Sequence, residues 1–304
     1  MSSLKDIHDE EPEITLKVDR VGVKGVKKKF VTHTPEGTIQ YDVIADAYVD
    51  VPKTKRGTHM SRDIEAFIEV MEKARKERAA SIEEILQSAC RRLLQKHPYA
   101  SRAEITARTR YQYEENFAGV NTSEVADVII TTQLDREGKN RRSVTVKVPG
   151  MTVCPCAQAT YQEAQGGKLS QSPSHTQRVD LTLKVITEGR LVRLDRLINA
   201  ARHSFSAPTV SLLKRPDEYT LIRRAFERPR FIEDLVRYAL HNLYHILLDG
   251  EYPENTDICV EAESYESIHP HNAYACRRTT LGELIKEGKK VRREDTADTD
   301  YDSR

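Results

Sequence analysis

Two cysteines separated by one proline, Cys154 and Cys156, are the residues of this sequence best suited to chemistry. The ring of Pro155 fixes its own φ and favours an extended conformation at Cys154. Because alternate residues of an extended chain point the same way, we expect both sulfur atoms to face one cavity. A disulfide between them would close a very short, strained ring. The spacing favours one thiolate on a metal ion and one thiol free for substrate or proton transfer. The alternative is two cysteines buried for packing.

Other side chains that could bind a metal ion or move protons lie in predicted loops or helix starts of the second half. They are His175, Glu218, Glu233, Glu266, His269 and His271. Thiolate, imidazole and carboxylate groups together suit Zn²⁺ or Fe²⁺ better than Mg²⁺. No spacing among them forms a closed metal motif, so the residues alone leave the ligand set open. From its position in a first helical turn alone, Glu233 is by default a surface residue favoured by the helix dipole.

A basic loop, residues 53–62, precedes a predicted helix and contains Arg56, His59 and Arg62. Free N–H groups at a helix N-terminus bind anions, so this loop could hold a phosphate chain. A solvated basic loop is the alternative interpretation.

The composition limits the class of protein and its partners. Apolar residues make up 38% of the 304 residues, enough for a core, and the net charge of +1 predicts neither a nucleic-acid nor a membrane partner. The five cysteines form no regular framework, which indicates a reducing compartment. The N-terminal residues lack the apolar run of a signal peptide, and no apolar stretch approaches transmembrane length. We therefore expect a soluble, cytoplasmic protein.

Hydrophobic periodicity predicts two units of the same element order. The first unit, residues 13–137, has strands near residues 14–18, 43–51, 104–113 and 125–134. Between them lie a helix with Ser61 as its N-cap and a helix from Ile82 to about His97, with a capping box from Ser81 to Glu84. The second unit, residues 138–285, has strands near residues 142–148, 179–185, 256–263 and 272–277 and helices near residues 194–201 and 231–247. The charged composition of residues 286–304 predicts a disordered tail. The fold class is α+β, two tandem ββααββ units, each with an antiparallel sheet and two helices.

Five motifs, which occur along the chain in the order found in one known family, are similar to those of that family. They are Cys154-Pro155-Cys156, Arg56-Gly57-Thr58-His59-Met60-Ser61-Arg62, His175-Thr176-Gln177-Arg178, Leu212-Leu213-Lys214-Arg215-Pro216-Asp217-Glu218 and Glu266-Ser267-Ile268-His269. Together they resemble GTP cyclohydrolases of the IB type and cover residues 51 to about 277. Met151-Thr152-Val153, Ala157-Gln158 and the long connection to His175 resemble the archaeal branch. Bacterial relatives usually have Ser after the second cysteine and a shorter connection.

The resemblance implies a tandem tunnelling fold, or T-fold, whose subunits associate into barrels, as a homodimer or a dimer of dimers. It implies a metal ion held by Cys154, His175 and Glu218, with Fe²⁺ as the working ion and Zn²⁺ or Mn²⁺ as substitutes. Glu233 matches the carboxylate that anchors guanine. Cys154, Cys156, Glu266 and His269 match the catalytic groups. The predicted substrate-binding cations and imidazole are Arg56, His59, Arg62, Lys214 and Arg215.

The implied reaction converts GTP into 7,8-dihydroneopterin 2′,3′-cyclic phosphate, formate and diphosphate, the first step toward methanopterin-type cofactors. Water activated by the metal would attack guanine C8. A thiol and an imidazole titrate in the range needed to deliver protons. The alternatives are a bacterial-type enzyme that makes 7,8-dihydroneopterin triphosphate for folate, a T-fold nitrile reductase, and a non-catalytic, metal-stabilised nucleotide-binding module.

Overall fold

The computed structural model describes residues 6–34, 37–77, 79 and 81–288. Within these residues the strands are β1 (Val18–Thr34), β2 (Gly37–Val51), β3 (Arg102–Phe117), β4 (Val120–Asp135), β5 (Asn140–Val153), β6 (Thr176–Glu188), β7 (Ala207–Pro208), β8 (Asp257–Tyr265) and β9 (Ala273–Thr280). Hydrogen bonds join them in the order β1-β2-β3-β4-β5-β6-β8-β9, with β7 on β5. The pairs β1–β2, β2–β3, β5–β7, β6–β8 and β8–β9 are antiparallel. The predicted α+β fold with an antiparallel sheet is confirmed.

The described residues divide into two compact units that are interleaved along the sequence. The first comprises the described residues up to Arg110, Val128–Val144 and Thr187–Leu191, and the second comprises Tyr111–Asp127, Thr145–Ile186 and the described residues from Val192 onward. The chain passes from one unit to the other within β3, β4, β5 and β6. The division of the chain into T-fold units at residues 137 and 138 stays a prediction.

The first unit contains helices α1 (Met60–Glu77) and α2 (Ile82–Lys96). Ser81 is the N-cap of α2 and its side chain accepts a hydrogen bond from Glu84 N, as predicted. Ser61 is not a cap, because α1 begins one residue earlier at Met60. The strand predicted from Ile14 was also placed too early. Ile14 and Leu16 are more than 70% exposed and β1 begins at Val18, so their alternation does not correspond to a buried face.

The second unit contains α3 (Pro155–Gln165), α4 (Leu194–Arg202), α5 (Arg215–Glu227), α6 (Ile232–Asp249) and α7 (Leu281–Gly288). Helix α6 packs on β8 and β9 and buries one apolar face, which consists of Leu235, Val236, Ala239, Leu240, Leu243 and Leu247. Residues 286–288, predicted as part of the tail, belong to α7, and residues 289–304 lie outside the described residues. None of the helices in the described residues has both the length and the apolar character needed to cross a membrane.

Candidate active site

The Cys-Pro-Cys motif begins a helix. Cys154 is the N-cap of α3 with φ −69° and ψ 116°, and its Sγ accepts a hydrogen bond from Ala157 N at 3.5 Å. Pro155 occupies the first helical position, where its missing N–H has no intrahelical partner to lose. Cys156 is therefore helical and exposed, whereas Cys154 is half-buried. The extended conformation predicted for Cys154 is confirmed. The alternation expected to carry on through Cys156 was wrong, because a proline at this position favours a helix start.

Backbone hydrogen bonds hold Cys154 beside two other segments. Cys154 N donates to His175 O at 3.1 Å, and Ser174 Oγ donates to Cys154 O at 2.7 Å. On the preceding residue, Arg230 N donates to Val153 O at 3.0 Å. The start of β6 and the residues just before α6 therefore both lie against the end of β5.

His175 is half-buried, immediately before β6 as predicted, and its ring is oriented by a neighbour. Its Nδ1 lies 3.0 Å from Gln177 Oε1. An amide oxygen only accepts, so Nδ1 is the donor in this contact, and in the neutral ring Nε2 is then the nitrogen with the free lone pair. Holding one ring nitrogen in this way is how proteins orient an imidazole that binds a metal through the other.

Glu218 lies in the first turn of α5 and is exposed, as are Lys214 and Arg215. We expected this segment to be at or near a loop, and the structure shows that it begins a helix, whose N-cap is Lys214. Helices α5 and α3 both pack against the short 3₁₀ turn Leu169–Gln171, which precedes His175.

The three predicted metal ligands do not form a closed cluster. Thiolate, imidazole and carboxylate fit Zn²⁺ or Fe²⁺ by donor type. Among the described residues, however, Cys154, His175 and Glu218 are not a group whose ligand atoms all lie within 4.8 Å of one another. The structure brings the backbones of Cys154 and His175 together and leaves the assignment of Glu218 as a prediction.

The remaining predicted groups lie at element ends. Glu233 is exposed in the first turn of α6, three residues after the bond from Arg230 to Val153. Glu266 follows β8, and its Oε1 accepts a hydrogen bond from Ser264 Oγ at 2.7 Å. His269 is exposed in the loop between β8 and β9, with its ring stacked on that of His271 at 5.3 Å between centroids.

Apolar side chains pack around the end of β5. Val153 belongs to a buried cluster with Phe117, Ala207, Leu221 and Ala225. Gly150 is required by close packing, since a Cβ at this position would lie 2.3 Å from the ring of Phe205.

Gln158, which follows the Cys-Pro-Cys motif, connects α3 to α5. It is fully buried, and its Nε2 donates to Phe226 O at 3.0 Å. Because Phe226 is 68 residues away in sequence, no local pattern predicts this contact.

In the first unit, the basic loop is paired with acidic residues near the N-terminus. Lys55 Nζ pairs with Asp9, Arg56 Nη1 lies 3.3 Å from Glu10 Oε2, and His59 Nε2 lies 2.9 Å from Asp6 Oδ2. A backbone hydrogen bond adds to these contacts, from Arg56 N to Glu10 O at 2.8 Å. Lys55, Arg56 and the His59 imidazole are therefore engaged by carboxylates of the same chain.

A buried polar network lies beneath the basic loop. His97 Nε2 is 2.8 Å from Asp63 Oδ1, and both side chains are fully buried. His97 Nδ1 also lies 3.2 Å from Thr58 Oγ1, and the Tyr99 hydroxyl donates to the same Thr58 oxygen. No local sequence pattern indicates this network, because its members are up to 41 residues apart.

The fold matches a protein of the tandem T-fold class. The chain superposes on the crystal structure of uricase from Arthrobacter globiformis with a TM-score of 0.50, covering 86% of this chain and 92% of that chain. The two sequences are 10% identical, so the likeness concerns the fold alone.

A family model described as type I GTP cyclohydrolase folE2 matches residues 4–275. GTP cyclohydrolase MptA of Aeropyrum pernix is 44% identical over 280 residues, which cover 92% of this chain and 97% of that protein. GTP cyclohydrolase MptA of Methanobrevibacter smithii is 35% identical, covering 93% and 98%. The chain belongs to the type I GTP cyclohydrolase folE2 family, and the resemblance drawn from the motifs is confirmed.

Proposed function

We propose that this enzyme is a GTP cyclohydrolase of the MptA type. It converts GTP into 7,8-dihydroneopterin 2′,3′-cyclic phosphate, formate and diphosphate, and so starts the synthesis of a methanopterin-type pterin. The observation that carries the proposal is the 44% identity with GTP cyclohydrolase MptA of Aeropyrum pernix over nearly the whole length of both chains.

Cys154, His175 and Glu218 would hold the metal ion. The hydrogen bond from Cys154 N to His175 O keeps two of these residues adjacent, and the bond to Gln177 leaves His175 Nε2 available as a ligand. When bound, Fe²⁺, with Zn²⁺ or Mn²⁺ as substitutes, would supply Lewis acidity for the attack of water on guanine C8.

Cys156 and His269 are the proton carriers of this proposal, and Glu266 is an accessory catalytic group. Opening the imidazole ring of guanine requires protons at N7 and N9, which a thiol and an imidazole can deliver near neutral pH. Both side chains are exposed, so each can exchange protons with solvent between turnovers.

Glu233 holds the guanine. Its two carboxylate oxygens can accept hydrogen bonds from N1–H and the exocyclic amino group together, which fixes the orientation of the base during the reaction. The start of α6 supports this role, because the bond from Arg230 N to Val153 O holds that helix start against the residue before Cys154.

The cyclic product requires a hydroxyl of the opened and rearranged sugar to attack the α-phosphorus while diphosphate leaves. Positive groups stabilise the charge that develops on the leaving diphosphate. Lys214 and Arg215 at the start of α5, and Arg56, His59 and Arg62 in the basic loop, are the groups assigned to the phosphates. Enzymes of this fold bind substrate between subunits, so a homodimer or a dimer of dimers is part of the proposal. Five free thiols support a cytoplasmic location.

The products of GTP turnover test this proposal against the alternatives. The protein would be purified without oxygen, supplied with Fe²⁺ and incubated with GTP, and the mixture followed by phosphorus NMR and mass spectrometry. We expect free diphosphate, formate and a cyclic phosphodiester. A pterin that retains three phosphates would reassign the enzyme to the bacterial-type reaction, and unchanged GTP would indicate a binding module.

A further inference from the structure

Cys259, Glu261 and Cys276 form a cluster that the proposed function does not use. Cys259 and Glu261 are two residues apart in β8 and so project from the same face of the strand. Cys276 in β9 is directly opposite Glu261 in the strand register. Glu261 Oε1 lies 3.5 Å from Cys259 Sγ and 3.9 Å from Cys276 Sγ. All three ligand atoms lie within 4.8 Å of one another.

These separations match the edges of a tetrahedral metal site. Zn²⁺ binds thiolate sulfur at about 2.3 Å and carboxylate oxygen at about 2.0–2.2 Å, so neighbouring ligand atoms are about 3.3–3.8 Å apart. The two sulfur-to-oxygen distances are close to that range without any change in the strands. The cluster therefore offers three ligands in place and leaves a fourth position for water.

We propose that Cys259, Glu261 and Cys276 bind a second metal ion, Zn²⁺, separate from the ion of the active site. Two thiolates favour a borderline-soft ion over Mg²⁺ or Ca²⁺, which take oxygen ligands. Two thiolates, one carboxylate and Zn²⁺ together carry one negative charge. Arg278 Nη2, which lies 3.8 Å from Glu261 Oε1, offsets that charge.

Among the described residues, one other group has comparable ligand spacing, formed by Asp6, His8 and His59. It lacks thiolates, and two of its three residues are exposed. Its donor atoms therefore suit Zn²⁺ less well than those of the cysteine-containing cluster.

The position of the second site in the sheet indicates a structural role. Among the strands of the described residues, β9 is the last in the strand order and pairs only with β8. The loop between β8 and β9 carries Glu266 and His269. A metal ion that links Cys259 to Cys276 fastens β9 to β8 and so positions that loop.

Cobalt is the probe for this site, because Co²⁺ replaces Zn²⁺ and gives an absorption band when thiolate ligands bind it. The test uses the full chain with Cys154→Ser and Cys156→Ser, kept reduced and free of oxygen, so that the active-site thiols cannot contribute. Cys90 is fully buried and donates its S–H to Thr132 O, so it is not a candidate ligand. We expect one equivalent of Co²⁺ to produce the thiolate band and one equivalent of Zn²⁺ to remove it.

Adding Cys276→Ser to this protein should weaken Co²⁺ binding by at least tenfold and reduce the band. Adding Glu261→Gln should weaken binding while preserving the band, because both thiolates remain. Absence of the band in the starting variant would overturn the proposal, as would a band that Cys276→Ser leaves unchanged. Since the readout is metal absorption, a failure here is distinguishable from a failure of the GTP reaction.

Discussion

Residues 55–63 of the first unit and residues 153–158 of the second both lead into a helix, yet different interactions hold them in place. The first segment is held by backbone hydrogen bonds and also by its side chains, through ion pairs to the acidic N-terminal residues and the buried pair of Asp63 with His97. The second is fixed mainly through its backbone, to His175 and Arg230, and by the apolar packing of Val153. Cys156 remains exposed as a result. Where the backbone provides the support, side chains stay available for chemistry.

The largest expected effect separates the two cysteines. If Cys154 binds the metal and Cys156 moves protons, Cys154→Ser should lose metal and turnover together. Cys156→Ser should keep the metal while kcat falls by about 10²–10⁴-fold, the usual contribution of a general acid or base. Metal content and kcat would be measured on proteins prepared without oxygen. Equal loss of metal in both variants would contradict this division of roles.

Replacing the buried histidine of the first unit should reduce stability instead. His97→Ala leaves the Asp63 carboxylate buried without its partner, and breaking such a pair costs about 3–5 kcal/mol. The free energy of unfolding from urea titration measures the effect. His271→Ala, in the exposed loop after β8, is the matched control and should stay near wild type. An unfolding free energy within about 1 kcal/mol of wild type for His97→Ala would show that the network does not hold this segment.

In the second unit, we expect a substitution in the apolar packing around the end of β5 to lower the free energy of unfolding. Gly150→Ala places a Cβ against the ring of Phe205, and overpacking of this kind costs about 1–3 kcal/mol. In a Phe205→Leu background the same substitution should cost less, because the ring is gone. Equal costs in the two backgrounds, measured by urea titration as a double-mutant cycle, would show that Phe205 is not the obstacle.

The smallest expected effect is a dependence of first-unit stability on pH. Burial raises the pKa of Asp50, but hydrogen bonds from Ser101 and from Arg102 N outweigh it, so the pKa in the folded protein lies below the usual 3.8. The carboxylate therefore contributes stability above that value and loses it as pH falls through the folded pKa. Asp50→Asn should be less stable at neutral pH and show a flatter decline in acid. Asp42→Asn, at an exposed side chain, is the control. Parallel acid curves for wild type and Asp50→Asn would contradict the prediction.

The sequence predicted those elements that bury one regular apolar face. Helix α6 buries six residues at helical spacing and was predicted nearly to its ends. Helices α3 and α5 were missed because α3 buries only Gln158, and α5 only Leu221 and Ala225, which leaves almost no periodicity to detect. The prolines at their first turns were the available signals.

The sequence motifs predicted which residues belong to the candidate site, but not which residues contact one another there. The resemblance identified residues of the right chemical types, and the structure places His175 beside Cys154. Gln158 and His97 could not be predicted, because each makes its contact with a residue distant in sequence. Such pairs exist only once the tertiary fold brings the two segments together.

The interleaved path of the chain limits the order in which this protein can be assembled during synthesis. Residues 111–127, at the tip of the β3–β4 hairpin, belong to the second unit but leave the ribosome before any other part of it. Phe117 then has no partner until Val153, Ala207 and the residues of α5 have been made. A break in the chain near residue 137 would leave Phe117 on a different fragment from the other members of that cluster. Assembly of the second unit therefore needs residues from both sides of residue 137.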